Sequence, residues 1–176
     1  IADSDHLLME LSENPSDMYD VYYAGWDANG ATPQAVTGIH HPSGDAKKIS
    51  MENDPLTSTD FFDNTPNPNE AQWRVADWDS GTTEGGSSGS PIFDNTTKRI
   101  VGMLSGGDAA CGNNFPDWYG KFSYAWNNNG ATNPNRRLRD WLDPNNTGTL
   151  AIDGYYANAC PNDLTINDDP IVPDTY

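Results

Sequence analysis

The feature that most constrains this chain is a run of glycine and serine at residues 85–90, which leads into Pro91, Ile92 and Phe93. Small residues ahead of an apolar, strand-forming stretch predict a tight, exposed turn that enters a β-strand. Glycines let backbone N–H groups converge on one point, and a central serine adds a nucleophilic hydroxyl. The segment therefore indicates either a flexible linker or a turn that carries serine chemistry.

The rest of the chain favours a loop-rich β protein, because its 176 residues include 16 Gly and 13 Pro. Short strands separated by frequent turn signals predict an antiparallel barrel or sandwich. One helix is predicted after the Asn133-Pro134-Asn135 segment, which could cap it, with Leu138, Trp141 and Leu142 at positions i, i+3 and i+4. A long surface loop is expected over 53–70, and a polar tail or linker over 154–176, so the domain would span 1–153. Strands are predicted at 7–11, 21–26, 35–40, 47–51, 72–78, 91–93, 99–104 and 118–126.

The charge of the chain excludes some classes of partner. The net charge is −17 at pH 7, which argues against binding to nucleic acid or to an anionic membrane. No apolar run is long enough to span a bilayer. Acidity suits a secreted protein and attracts cationic substrates. The chain opens on Ile1 without a methionine or a signal segment, so we expect a fragment or a processed product.

Two serine motifs fit the Gly/Ser run. Residues 85–89 match G-x-S-x-G, the nucleophile elbow of α/β hydrolases, in which Ser87 would attack. That family places its histidine after the serine, whereas His6, His40 and His41 all precede it, so this interpretation fails. Residues 86–91 instead match Gly-x-Ser-Gly-x-Pro, with Ser88 as the attacking residue.

With the second motif, the chain resembles the C-terminal two-thirds of a trypsin-like serine protease, in particular the bacterial lysyl endopeptidases. The resemblance runs in order from about the first residue to Gly154. It implies an all-β fold: the C-terminal antiparallel β-barrel of a chymotrypsin-like two-barrel protease, with the edge of the first barrel and a C-terminal helix. The segments that carry it are 4–11, 24–27, 39–42, 86–91, 101–107, 117–120 and 140–144.

The resemblance also implies roles for individual residues. Ser88 would be the nucleophile, and the backbone N–H groups of Gly86 and Ser88 would form the oxyanion hole. Asp5 would be the acid that orients a histidine and stabilises its imidazolium; otherwise it is an ordinary surface acid. Such a mechanism needs no cofactor and no metal.

The general base is not evident in the chain. His6 adjoins Asp5 along a predicted strand, so its side chain should point away from that of Asp5. The pair His40 and His41 fits the end of a strand before a Pro-Ser-Gly turn better than a catalytic base. In the family the histidine precedes the acid by a long stretch. We therefore expect it in an upstream segment of the same protein, and we expect the isolated chain to be inactive.

Substrate selection is expected beside the serine. By resemblance, Ser105, Gly106 and Gly107 form the wall of a pocket, and Asp117 lies at its base facing a substrate ammonium. The alternative for Asp117 is a solvent-facing loop acid. The pocket predicts cleavage after lysine, with arginine left open.

The cysteines leave two pairings open. Cys111 and Cys160 could bond to each other. The resemblance suggests instead that Cys111 bonds to a cysteine of the upstream segment, with Cys160 unassigned.

Three functions follow from these observations. The first is a secreted serine endopeptidase acting on polypeptides with basic side chains, and retention of both Asp5 and Ser88 favours it. The second is a non-catalytic, protease-like binding module. The third is a calcium-binding β domain built on acid pairs such as Asp77 with Asp79, or 168 with 169, which lack the spacing of a coordination loop.

Overall fold

The computed structural model describes residues 4–16, 18–19, 21–63 and 70–157. Most regular structure in these ranges is β-strand, joined by short turns and two short helices. The strands are β1 (Tyr22–Tyr23), β2 (Trp26–Asp27), β3 (Val36–His40), β4 (Lys48–Glu52), β5 (Thr57–Thr59), β6 (Gln72–Val75), β7 (Pro91–Asp94), β8 (Ile100–Gly107), β9 (Asp117–Lys121), β10 (Ala151–Ile152) and β11 (Tyr155–Tyr156). The helices are α1 (Phe122–Asn127) and α2 (Arg139–Leu142), with 3-10 turns at Pro42–Gly44, Phe61–Asp63, Asn128–Gly130 and Pro134–Arg136.

One sheet dominates the part of the chain that the structure describes. Its strands follow the order β4-β3-β7-β8-β9-β6-β5, and every neighbouring pair along this order is antiparallel. β2 runs parallel to β8 at one end and also pairs with β10, while β1 and β11 form a separate ribbon. The N–H of Leu56, just before β5, donates to the carbonyl oxygen of Pro33, just before β3, and so links the segments that lead into these two distant strands of the order. The predicted all-β class is confirmed.

Alternation along the strands builds the core. In β3 the side chains of Val36 and His40 face inward on either side of the buried Gly38, while Thr37 and Ile39 are half-buried on the other face. A second, smaller core forms where α1 and Leu138 pack on Trp26 of β2. The main core contains Val36, Leu56, Trp73, Val75, Trp78, Ile92, Val101, Leu104, Ala109 and Tyr119.

The prediction of a strand at 7–11 is wrong. This stretch pairs with no other strand of the described chain, and its apolar side chains lie open, with Leu7 73% and Met9 76% exposed. It borders a groove of about 700 Å³ whose other side is formed by residues such as Leu138 and Trp141. An apolar run becomes a strand only where a strand edge is available to it, which the sequence does not reveal.

Other boundaries also differ from the prediction. The strand predicted at 118–126 ends at Lys121, and the chain continues as α1. In the helix, Phe122, Ala125 and Trp126 lie on one face and pack into the second core. The segment 21–26 is divided into β1 and β2 at Gly25, where a Cβ would collide with the backbone at Ile152. The loop predicted at 53–70 contains β5.

The C-terminal helix is shorter than expected. Asn133 does cap a turn by accepting the N–H of Asn135 at 3.0 Å, but this turn and α2 are separate, one-turn elements. Leu138 is buried as predicted, whereas Trp141 is exposed. The division of the chain at 153 and 154 stays a prediction, although β11 lies beyond it. No helix in the described ranges has the length and apolarity to cross a bilayer.

The core assignment predicts a contrast between two isoleucines. Ile92 is fully buried between β3 and β8, so Ile92→Ala should lower the free energy of unfolding by about 2–5 kcal/mol through lost burial and a cavity. Ile49 on β4 is 57% exposed, so Ile49→Ala should cost less than about 1 kcal/mol. Urea denaturation of both variants measures the difference, and equal losses would contradict this core.

Candidate active site

The Gly/Ser run forms two consecutive tight turns ahead of β7. The N–H of Ser87 donates to the carbonyl of Glu84 at 3.0 Å, and the N–H of Ser90 donates to that of Ser87 at 3.1 Å. Gly86 and Gly89 take positive φ values of 93° and 83°, which only glycine adopts without strain. The residues are therefore held in a defined conformation, unlike those of a flexible linker. We call residues 84–90 the serine turn.

The serine turn is tied to the sheet on one side. The N–H of Gly89 donates to the carbonyl of Leu104 on β8, and the N–H of Leu104 donates to the carbonyl of Ser90, both at 2.8 Å. Ser88 lies exposed between the two turns. No described residue accepts a hydrogen bond from the backbone N–H of Gly86 or Ser88. Two donors and one hydroxyl are thus available beside each other at a fixed point of the surface.

A second set of contacts holds the serine turn from the opposite side. The N–H of Ser43 donates to the carbonyl of Gly85 at 2.7 Å, and its hydroxyl donates to the carboxylate of Glu84 at 3.2 Å. The other oxygen of Glu84 accepts the N–H of Cys111 at 2.9 Å. The turn is therefore clamped between the segment after β3 and the loop after β8.

Ser87 and Ser88 are adjacent but lie in opposite environments. Ser87 is buried, and its Oγ lies 3.0 Å from Nδ1 of His40, whose Nε2 lies 2.9 Å from Oγ of Ser50. A buried hydroxyl cannot meet a polypeptide substrate, which agrees with the rejection of the elbow motif. Sequence reasoning missed this cluster, although the alternation of β3 already places His40 on the same face as Val36.

Asp117 lies inside the protein and contacts the segment that enters the serine turn. Only 1% of the residue is exposed, and its Oδ2 accepts hydrogen bonds from the Thr83 hydroxyl at 2.6 Å and from the Trp78 indole at 2.8 Å. Burial raises the pKa of Asp117, and the two hydrogen bonds oppose this increase. The alternative of a solvent-facing loop acid is therefore wrong.

The predicted pocket wall lies directly against Asp117. Leu104 pairs with Tyr119 and Gly106 pairs with Trp118, so Ser105 is an extra residue that forms a β-bulge. Gly107 pairs with Asp117, and a Cβ at this position would collide with the Asp117 carboxylate. Ser105 donates to Oε1 of Gln72 at 3.1 Å. The structure thus brings the wall, Asp117 and the serine turn to the C-terminal half of β8, between Leu104 and Gly107.

Ser4, which precedes Asp5, packs against β9 in this region. Ser4 is buried, and its carbonyl oxygen lies over Gly120 of β9, where there is no space for a Cβ. Gly120 pairs with Met103, next to Leu104, which binds the serine turn. Asp5 itself is exposed, has a φ of 48°, and makes no hydrogen bond to Ser88 within the described chain.

Each of the three imidazoles has a hydrogen-bond partner other than Ser88. Nδ1 of His6 is 3.0 Å from the Ser4 hydroxyl, and Nδ1 of His41 is 3.3 Å from the carbonyl of Asp45. His40 ends β3 and is followed by the turn Pro42–Gly44, so the predicted strand end is confirmed. No hydrogen bond joins any of the three rings to Ser88 in the described ranges.

Only some of the residues in the cysteine and metal predictions lie in the described ranges. Cys111 is exposed and unbonded, while Cys160 and residues 168–169 lie outside the described residues, so the pairing stays a prediction. Asp77 and Asp79 belong to no group of three or more potential metal ligands in the described part of the chain.

The buried carboxylate predicts a pH-dependent effect on stability. Because its pKa is raised in the folded state, ionised Asp117 costs stability at neutral pH, and this cost disappears as pH falls through the raised value toward the ordinary 3.8. Asp117→Asn should therefore be more stable than the wild type at pH 7, and the advantage should shrink on acidification. Urea denaturation across this range measures it.

An exposed acid supplies the control. Asp77 is exposed, so Asp77→Asn removes no buried charge and should show no comparable advantage. If Asp117→Asn were destabilising at pH 7 and neutral in acid, the ionised carboxylate would stabilise the fold, and the expected cost of its burial would be contradicted.

Known proteins share this sequence pattern. The sequence model of the family described as "lysyl endopeptidase, C-terminal domain" matches residues 1–120. A lysyl endopeptidase of Pseudomonas aeruginosa is 38% identical over 115 residues, which are 63% of this chain and 23% of the relative. The matched region thus spans about a quarter of that relative's length. With its antiparallel β architecture and a family match over more than half of its length, the chain belongs to the lysyl endopeptidase family of trypsin-like proteases.

Proposed function

We propose that this chain is part of a secreted serine endopeptidase that cleaves polypeptides after basic residues, with lysine preferred. The observation that carries the proposal is the link between Asp117 and the serine turn. A buried carboxylate, which attracts a cationic side chain, is hydrogen-bonded to Thr83, five residues before the exposed hydroxyl of Ser88. Family membership supplies the serine protease chemistry.

In the proposed mechanism Ser88 attacks the scissile carbonyl while a general base takes its hydroxyl proton. The C–N bond then breaks, the protonated base gives that proton to the leaving amine, and water hydrolyses the remaining acyl-enzyme by the same base catalysis. The tetrahedral oxyanion accepts hydrogen bonds from the N–H groups of Gly86 and Ser88, which no described residue occupies. Because these donors are fixed by the serine turn, they need no reorganisation as charge develops on the oxygen.

The general base is an imidazole from polypeptide outside this chain's described residues, oriented by Asp5. His40 is enclosed by two hydroxyls, and neither His6 nor His41 is bonded to Ser88 in the described ranges. The chain alone is therefore inactive. The relative is several times longer than the matched region, which is compatible with a base carried elsewhere in the same protein.

Specificity rests on electrostatics at Asp117. The Thr83 hydroxyl and the Trp78 indole both bind Oδ2, the backbone N–H of Ala109 also interacts with the carboxylate, and Oδ1 lies beside Gly107 at the end of the wall. An ammonium that enters along this wall compensates the desolvated carboxylate, whereas a neutral side chain does not. The net charge of −17 adds a long-range attraction for basic polypeptides. No cofactor takes part.

Loss of the nucleophile is the first test. In the protein expressed from its complete coding sequence, Ser88→Ala should lower kcat/KM for a lysyl ester by about 10⁴-fold or more, because the acyl-enzyme cannot form. Ser87→Ala should fold with Ser88 intact and retain far more activity. A wild-type protein that is silent toward lysyl esters and peptides would favour the binding module instead.

Loss of the charge in the pocket is the second test. Asp117→Asn keeps the shape of the side chain and should lower the preference for lysine over a neutral isostere by about 100-fold, which is ~2.8 kcal/mol. Turnover of the neutral substrate should persist. Paired kcat/KM measurements on matched ester substrates give the ratio.

Asp108→Asn is the matched control for general electrostatic attraction. Asp108 is an exposed acid whose charge reaches Asp117, so its substitution removes the same charge nearby without touching the pocket. It should change the ratio by no more than about threefold at moderate salt. An unchanged lysine preference in Asp117→Asn would remove Asp117 from the specificity pocket.

A further inference from the structure

The proposed mechanism leaves one buried imidazole beside the serine turn without a role. His40 is only 1% exposed, and it lies on the core face of β3. Its two ring nitrogens bridge Ser50 of β4 at 2.9 Å and Ser87 of the serine turn at 3.0 Å. Both hydroxyls are themselves fully enclosed. An apolar residue at position 40 would leave both buried hydroxyls without this hydrogen-bond partner, which costs stability. The imidazole therefore contributes hydrogen bonds here in addition to packing.

The contacts allow both ring nitrogens to be satisfied while the imidazole is neutral. Oγ of Ser87 lies 3.4 Å from the N–H of Glu84, which can only donate, and the hydroxyl proton of Ser87 can be donated to Nδ1 of His40. In this tautomer Nε2 carries the ring proton and donates to Ser50. The neutral ring thereby connects the central residue of the serine turn to two strands of the sheet.

The dihedral angles of Gly86 and Ser87 together relate the two proposed oxyanion donors. Ser87 stands between Gly86 and Ser88, and a rotation about its backbone bonds moves the N–H group of Ser88 relative to that of Gly86. Its own N–H and carbonyl already belong to the two turns, so the side chain supplies the remaining restraint against such a rotation. A displacement of about 1 Å at such a group costs on the order of 100-fold in rate.

We propose that His40 is a positioning residue that holds Ser87 and so aligns the N–H groups of Gly86 and Ser88 toward the transition-state oxyanion. This inference rests on the proposed endopeptidase function. His40 touches no substrate, and it acts only through Ser87. The restraint should therefore affect binding of the tetrahedral species and leave binding of the lysine side chain at Asp117 unchanged.

The test uses His40→Gln and Ser87→Ala in the protein expressed from its complete coding sequence. Both should lower kcat for a lysyl ester about 10- to 100-fold, with KM changed by less than about threefold. A peptide boronate, which mimics the tetrahedral intermediate, should bind more weakly by a similar factor. A simple alkylamine that occupies only the lysine pocket should bind as it does to the wild type. A purely structural role would not separate these two ligands.

Ser90→Ala is the matched control. Its hydroxyl is also enclosed and lies in the same turn, but it has no hydrogen-bond partner in the described residues, so kcat should stay within about twofold. If His40→Gln or Ser87→Ala does not fold, Ser50→Ala takes its place, because it removes only the outer bond of the ring. That variant should show the same split with a smaller loss.

The outcomes separate the two proposals. A wild-type protein without esterase activity overturns the endopeptidase function itself. An active wild type whose His40→Gln and Ser87→Ala variants keep full kcat overturns the positioning role alone. Equal weakening of boronate and amine binding would also overturn it, since the pocket would then have moved together with the oxyanion donors.

Discussion

The ladder between β8 and β9 is the constraint on which the candidate site depends. At one end of it, Gly107 pairs with Asp117 and leaves room for the carboxylate. In the middle, Leu104 exchanges hydrogen bonds with the serine turn. Next to that, Gly120 admits the backbone of Ser4 and with it Asp5. These contacts all depend on one strand pair. A shift in the register of β8 against β9 would therefore disrupt all of them at once.

Glycine is the residue type that makes this convergence possible. A side chain at position 107 would occupy the place of the carboxylate, and one at position 120 would displace the N-terminal segment. Near these close approaches two buried polar side chains have hydrogen-bond partners. Asp117 is held by Thr83 and Trp78, and His40 by Ser50 and Ser87. Such clusters fix a single arrangement, since breaking them leaves buried groups without partners.

Much of the fold follows from local patterns. The strands at 36–40, 48–52 and 91–94 coincide closely with alternating or β-branched stretches, and Asn133 caps a turn as its side chain predicts. The failures share a cause. Residues 7–11 and 122–126 are apolar, and only the partner available in space decides whether such a run forms a strand, a helix or an exposed edge.

The sequence by itself determined the chemistry that this chain can offer. The Gly-Ser-Ser-Gly-Ser-Pro run places serine hydroxyls among glycines, which can adopt the positive φ values that tight turns require. Only the tertiary structure decided which acid is buried beside that turn and which histidine supports it. Asp117 and Thr83 are 34 residues apart, and His40 and Ser87 are 47 apart. Contacts at such separations depend on strand pairing and desolvation, which no local pattern of residues encodes.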